Sequence, residues 1–315
     1  MKVLRTIEET RKASRAAGSR GARVGLVPTM GALHEGHLSL IRAAKAQSDV
    51  IAASIFVNPT QFGPNEDFTR YPRDLDRDLA LLEREGVDFI FVPSVEEMYP
   101  QPSNTWVTVE GLSERLCGKS RPGHFRGVAT VVAKLFNVVS PHLAFFGQKD
   151  AAQVAIIRRM VRDLNLQVQI EVCPIVREPD GLALSSRNAY LDAQQRKDAL
   201  VLFRALSRVQ ELFEKGERGS AALIGAAKAE FQPIPAVRLD YFEIVDPDDL
   251  TTVSAINQRT LVAVAAFVGS TRLIDNLLLE PRPFACPRAH HSGFGVSATP
   301  EAFAKCGSRV RGLCR

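Results

Sequence analysis

Val24-Gly-Leu-Val-Pro-Thr-Met-Gly-Ala-Leu-His-Glu-Gly-His-Leu38 is the stretch on which the reading of this chain turns. It opens with a short, continuous apolar run at 24–28, and a second such run follows at 50–57, Val-Ile-Ala-Ala-Ser-Ile-Phe-Val. Unbroken apolar runs of this length fit strands covered on both faces, as in a parallel sheet. Between them, apolar residues at 38, 40, 41, 43 and 44 keep a helical period. Strand, glycine-rich loop, helix and strand in that order predict a β–α–β unit, with the loop at the carboxyl end of its first strand. Open α/β sheets bind their ligands there.

The same alternation continues outward. The pattern predicts a helix over 74–85, a strand over 88–92, a helix over about 127–139 and a strand over 143–146. A helix over 151–164 and a strand over 168–176 complete it. Residues 1–177 therefore read as a Rossmann-like, doubly wound parallel α/β domain. Arg177-Glu-Pro-Asp-Gly181 reads as a turn and a hinge. Beyond it, 192–215 suits one long helix and 220–231 a second, followed by β-rich runs at 237–245, 260–268 and 272–279. Helices and then consecutive strands predict a smaller C-terminal α+β lid domain over 178–281. Pro281-Arg-Pro-Phe-Ala-Cys-Pro287 has no period, and a disordered tail is expected over 282–315.

The loop itself excludes two familiar nucleotide motifs. Gly31 and Gly36 have phosphate-loop spacing, but the Lys and Ser/Thr that should follow are His37 and Leu38. No GxGxxG is present. What the loop offers is His34-Glu-Gly-His37, two imidazoles on the first turn of a helix whose N–H groups and dipole already favour an anion. There they can give hydrogen bonds, or positive charge, to a phosphate gaining charge in a transition state. Gly36 would leave room for a nucleotide against the helix. A metal is the rival reading of HxxH, and it lacks a nearby third ligand. Two further clusters point the same way. Lys149, in Phe145-Phe-Gly-Gln-Lys-Asp150, lies at another strand-to-helix junction, with Asp150 expected as a helix N-cap. Leu184-Ser-Ser-Arg-Asn188 places two hydroxyls and a guanidinium in the interdomain loop, where they can bind polyphosphate. Together the three clusters point to ATP.

Composition narrows the partners. The 315 residues are 45% hydrophobic and 24% charged, which suits a globular protein of two modest domains. The net charge of +5 sits in the tail: of 40 basic and 35 acidic residues, 282–315 hold six and one, leaving 34 of each before them. A neutral body without an aromatic-interleaved basic stripe argues against a nucleic-acid partner. No apolar run reaches the roughly 18 residues that span a bilayer. The N-terminus lacks a secretory apolar region, so a cytoplasmic protein is expected. The five cysteines are scattered, with no CxxC pair, and give neither a disulfide framework nor a zinc ribbon.

The His34-x-Gly-His37 signature with the later Ser185-Ser186-Arg187 resembles the nucleotidylyltransferase superfamily, relatives of class I aminoacyl-tRNA synthetases. More closely, the chain resembles the pantoate–β-alanine ligases. The motifs that carry this are Pro28 to His37, Ser54-Ile-Phe-Val-Asn-Pro-Thr-Gln-Phe62, Tyr71-Pro-Arg73 and Arg121-Pro-Gly-His-Phe-Arg-Gly-Val128. Phe146 to Asp150, Asp180 to Asn188 and Arg272-Leu-Ile-Asp-Asn276 complete the set, in order over about 1–280. The resemblance implies a C–N bond-forming acid–amino-acid ligase with ATP as a substrate, Mg²⁺ alongside it and no tightly bound organic cofactor. (R)-pantoate and β-alanine would be the other substrates and a homodimer the assembly. Carried over by position, Met30-Gly31-Ala32-Leu33-His34-Glu35-Gly36-His37 would line the ATP site. Gly147-Gln148-Lys149-Asp150, Val176 and Leu184-Ser185-Ser186-Arg187 would complete it. His37, His34, Lys149 and Arg187 would be catalytic, with His37 donating a proton and His37, Lys149 and Arg187 supplying cations. Gln61 and Gln153 would hold pantoate, and Gln61 later β-alanine.

The family usually carries an aromatic residue and a Gln ahead of Gln153, where this chain has Ala151 and Ala152. The main rival is another adenylyl- or nucleotidylyltransferase sharing the His-x-Gly-His loop, which would leave Asn58-Pro-Thr-Gln61 without a purpose. The tail contributes no motif of the family, and Cys286, Cys306 and Cys314 with His290-His291 lack the close spacing of metal ligands. Truncation after Glu280 should therefore keep ligase activity within about twofold and thermal stability nearly unchanged, since such a segment has little burial to lose. A large loss of either, or one zinc per full-length chain, would show the tail to be a working part.

Overall fold

Six parallel strands form the first sheet of the computed structural model, in the order β1-β4-β3-β2-β5-β6. The structure describes residues 1–64 and 66–281, and the expected disordered tail at 282–315 lies outside the described residues. The elements are β1 (Lys2–Leu4), α1 (Ile7–Gly18), β2 (Val24–Thr29), α2 (Glu35–Gln47), β3 (Val50–Ile55), α3 (Leu75–Glu85) and β4 (Phe89–Phe91). After two short helices, α4 (Val95–Met98) and α5 (Cys117–Ser120), come α6 (His124–Val139), β5 (Leu143–Gly147), α7 (Ala151–Asp163) and β6 (Gln169–Cys173). Strand side chains alternate between two cores. Leu26, Ala52, Phe91 and Ala144 face α1, α6 and α7, while Val27, Ala53, Ile90 and Phe145 face α2 and α3. A fully buried side chain such as Phe145 or Leu26 contributes about 2 kcal/mol of apolar transfer. Burial on both faces is why these strands read as unbroken apolar runs.

The second sheet is antiparallel, β7-β8-β9 (Val237–Val245, Thr260–Val268, Thr271–Leu279). The helices before it are α8 (Ala193–Asp198), α9 (Leu200–Glu214) and α10 (Ser220–Ala229). Along β8 the alternation is again two-sided: Val262, Val264 and Ala266 pack on α9 and α10, and Leu261 and Ala263 join the core of the first sheet. Through that shared core Met1–Pro281 form one unit that carries both sheets.

The architecture is the expected α/β sheet with a smaller α+β part, and the differences are local. The expected strand at 168–176 ends at Cys173, because Pro174 has no N–H to give the ladder. The helix expected from 127 begins at His124, with Gly127 inside it. The single helix expected over 192–215 is two, meeting at Ala199. The sequence reading missed β1 and α1. Yet Thr6 and Glu9 form a capping box at the start of α1, a signal written in the chain.

Candidate active site

Strand order reverses between β2 and β5, so the turns after these two neighbours flank a crevice at the carboxyl edge of the sheet. His34 ends the loop after β2 as the N-cap of α2, and its Nδ1 accepts from the Gly36 N–H at 3.1 Å. His37, three residues on, returns the bond: its Nδ1 accepts from the His34 N–H at 3.3 Å. The ring centroids are 4.1 Å apart. With both Nδ1 atoms accepting, each neutral ring carries its proton on Nε2, a hydrogen-bond donor. Burial, with Lys149 adding to it, lowers the pKa of His34 to about 4. Burial, then His34 and Lys149, lowers that of His37 to about 3. Both rings are neutral donors at pH 7. Gly36 serves this arrangement, since a Cβ there would sit 2.9 Å from His34 Cε1. This is a reason for glycine beside the expected room for a nucleotide, since Gly36 also lines the cavity described below.

Below the loop, the buried Asp78 of α3 accepts from the Leu33 N–H at 2.8 Å and fixes the descent into His34. Gly31, Ala32 and Leu33 are thereby structural supports of the loop, and the exposed Glu35 turns outward to Arg42. Across the crevice, Gly147 leads from β5 into a single turn, Gln148–Asp150, and then α7. Asp150 occupies the N-cap position, but its side chain makes no capping hydrogen bond. The turn is held from the second sheet. Asn276 Nδ2 donates to the Gln148 and Lys149 carbonyls at 3.0 and 2.9 Å, and Gln148 Nε2 donates back to Asn276 Oδ1 at 2.9 Å. One residue earlier, Asp275 takes both Arg177 Nη groups, at 2.6 and 2.9 Å. The expected hinge thus starts with an anchored residue.

Gln61 closes a short turn after β3 (Pro59–Gln61) and is buried. Its Oε1 accepts from Asn58 Nδ2 at 3.1 Å, and its Nε2 lies against Met30 Sδ. Asn58 is the hub: its Oδ1 accepts from Tyr99 Oη and Thr60 Oγ1, both at 2.9 Å, and its Nδ2 also reaches the Gly127 carbonyl at 3.1 Å. Gly127 lets α6 pass this close, for a Cβ would lie 2.3 Å from the Thr60 carbonyl oxygen. His124 Nδ1 lies 2.7 Å from the Gln61 carbonyl and donates to it, leaving Nε2 to accept from Arg121 Nη1 at 3.0 Å. Arg121 in turn is paired with Glu66. Arg126, from the same motif, stacks over Trp106.

The segment Leu184–Arg187 faces the loop 66–71. Ser185 Oγ accepts from the Arg187 N–H, Ser186 Oγ lies 3.2 Å from Tyr71 Oη, and Arg187 holds Asp67 with two bonds of 2.9 and 3.0 Å. Burial alone would raise Asp67, but the Arg187 hydrogen bonds and charge outweigh it and hold the carboxyl below its ordinary range. These elements enclose a cavity of about 230 Å³, lined by Met30, His34, Gly36, His37, Gln61, Gly147, Lys149, Asp150, Gln153, Val176 and Leu184–Arg187. A second, of about 570 Å³, adjoins it towards Ala151, Ala152 and the second sheet; both are lined by Arg121, His124, Lys149, Gln153, Ser185 and Arg187.

Residues 2–278 match the family model described as pantoate-beta-alanine ligase. The chain is 59% identical over 285 residues to the pantothenate synthetase of Acidobacterium capsulatum, covering 90% of this chain and 95% of that one. It is 56% identical to that of Thermotoga neapolitana, covering 89% and 100%. Among solved structures, pantothenate synthetase from Thermus thermophilus superposes with a TM-score of 0.85 at 48% identity, over 89% of this chain and all of that one. A pantoate-beta-alanine ligase from Francisella tularensis, complexed with beta-gamma ATP and beta-alanine, gives 0.70 at 34%, covering 88% and 97%. The chain belongs to the pantoate–β-alanine ligase family.

In this ligase the crevice gathers the three clusters singled out in the sequence, but not every residue of them. Glu35 and Gln148 point elsewhere, and Gly31, Ala32 and Leu33 lie beneath the loop. One expectation about charge is corrected. His37 is not a standing cation, because desolvation and the accepted His34 N–H keep its ring neutral, whereas Arg187 is a cation paired with Asp67. Of the two remaining cations Lys149, with Nζ 4.0 Å from the nearest Asp150 oxygen, is the more loosely held. Sequence reasoning also missed Asn58, Asp78 and Asn276. Asn58 and Asn276 stand in the motifs Ser54–Phe62 and Arg272–Asn276, whereas Asp78 looks like one more acid on an amphipathic helix. Among the described residues no group of three His, Cys, Asp or Glu forms a metal cluster.

The neutral histidines tie stability to pH. His34, His37 and also His124, which burial lowers to about 4, take up protons more readily when unfolded, near pH 6.5. Their contribution is complete above pH 6.5 and is lost as pH falls below it. The urea midpoint should drop between pH 7 and 5, and drop less in a His34→Gln, His124→Gln double variant. A wild-type midpoint that is flat over that range would contradict the neutral assignment.

Proposed function

We propose that the crevice carries out ATP-dependent condensation of (R)-pantoate with β-alanine through a pantoyl adenylate. The chain's place in the pantoate–β-alanine ligase family supports the overall reaction. The observation that carries the site reading is the facing of the His34/His37 loop and the Lys149 turn across one cavity, with the Gln61 and Gln153 amides on its wall. In the first half, a carboxylate oxygen of pantoate forms a bond to the α-phosphorus of ATP, and the bond to the bridging oxygen breaks, releasing pyrophosphate. Charge grows on the phosphate oxygens, where the two Nε2–H donors and Lys149 meet it without first reorganising. Neutral Gln61 and Gln153 bind pantoate's hydroxyls and carboxylate, so no ion pair has to break when that carboxylate becomes an acyl-phosphate anhydride. In the second half, the β-alanine amine adds to the acyl carbon, AMP leaves with the bonding electrons, and the amine gives up a proton. Closure of the cavity around the adenylate would keep water from it.

Mg²⁺ would accompany ATP. The described residues offer it no cluster of carboxylates, which fits an ion held chiefly by phosphate oxygens and water. We further read 1–177 as the nucleotide- and pantoate-binding domain, 178–281 as its lid, the assembly as a homodimer and the location as the cytoplasm. No helix of the described residues is long and apolar enough to cross a membrane. The test is incubation with ATP, pantoate and β-alanine, omitting each in turn. Pyrophosphate should need only ATP and pantoate, and AMP with amide should need all three. Release of pyrophosphate without pantoate, or formation of a dinucleotide, would favour the other nucleotidylyltransferase reading.

A further inference from the structure

β9 places two polar side chains side by side, and they do different work. Asp275 anchors the strand to Arg177. Asn276, buried at 3% exposure, spends its whole amide on the turn after β5: two hydrogen bonds to the Gln148 and Lys149 carbonyls and one from the Gln148 side chain. Lys149 is the residue that gains most from such a hold. Its ammonium rides on four rotatable bonds, and among the described ion pairs it has only a 4.0 Å approach to Asp150. Where the ammonium can reach is therefore set by where its backbone is fixed, and both side-chain bonds to the Gln148 and Lys149 carbonyls come from Asn276.

We propose that Asn276 is a positioning residue for the adenylation half of the reaction, clamping the Gln148–Lys149 turn so that Lys149 meets the departing pyrophosphate. This rests on the reading of Lys149 as a phosphate-site cation. The Asn276 amide is committed to the turn, so the amide-forming half, from which pyrophosphate has already gone, has no use for the clamp. Asn276→Asp keeps the shape but sets a carboxylate oxygen against two carbonyls, and Asn276→Ala removes the bonds altogether.

In the full chain, pantoate-dependent ATP–pyrophosphate exchange reports the first half, and supplied pantoyl adenylate with β-alanine reports the second. Asn276→Asp should slow exchange about thirtyfold, with a raised KM for ATP, and leave the second half within about threefold. Gln148→Ala, which removes only the side-chain bond to Asn276, should move exchange in the same direction by about threefold and serves if the first variant does not fold. Equal loss in both halves, or unchanged exchange in either folded variant, overturns the clamp. Lys149→Ala separates the two ideas. If it keeps exchange, the phosphate-site reading is what fails; if it loses exchange while Asn276→Asp keeps it, the clamp alone fails.

Discussion

His37→Ala is expected to cost at least about a hundredfold in the rate of pantoyl-adenylate formation, because it deletes a preorganised donor aimed at growing phosphate charge. The loss should fall on chemistry and not on folding. His37 is half-buried at the edge of the crevice, and its structural bond is one acceptor for the His34 N–H. A helix N-terminus that loses such an acceptor to solvent gives up about 1 kcal/mol. Thermal melting should therefore shift by a few degrees at most for a unit of this size. Single-turnover measurement with ATP and pantoate would settle it. Near-normal adenylate formation by a folded His37→Ala protein removes the assigned role.

Gln61→Ala should raise the KM for pantoate by about a hundredfold and leave ATP binding within a few-fold, since a site built to hydrogen-bond polar groups is left with them unpaired. The division follows from placement: Gln61 closes the turn after β3, whereas the imidazoles follow β2. Asn58→Ala is expected to imitate it from behind, because Asn58 holds Gln61 Oε1 and ties the turn to Tyr99 and Gly127. Isothermal titration with ATP and with pantoate separates the two affinities. Parallel losses of both would mean that the crevice collapses as one piece and that the side chains have no separate duties.

The layout of the fold was legible because burial on both faces writes itself as unbroken apolar runs, as at 24–28 and 50–57. The crevice was legible because glycine-rich strand-to-helix turns mark the carboxyl edge of a parallel sheet. What escaped is what depends on partners distant in the chain. Nothing around His37 says that its ring is neutral; that follows from burial and from the His34 N–H. Nothing around Arg187 names Asp67, which lies 120 residues earlier. The start of α6 at His124 was not marked in the sequence, and only the neighbouring Thr60 carbonyl explains why a glycine belongs at 127.

The hold of Asn276 on the turn after β5 also sets a schedule. The two bonded carbonyls lie 128 and 127 residues ahead of it in the chain. A protein made from its N-terminus can assemble the first sheet and both imidazoles while β9 is still unmade. The loop that would meet a nucleotide is then present, but the turn opposite it hangs unbraced until the last strand arrives. Prematurely ended or stalled chains should thus be mute in the adenylation half, for want of the brace on Lys149. Competence comes late in translation, with one strand near the C-terminus.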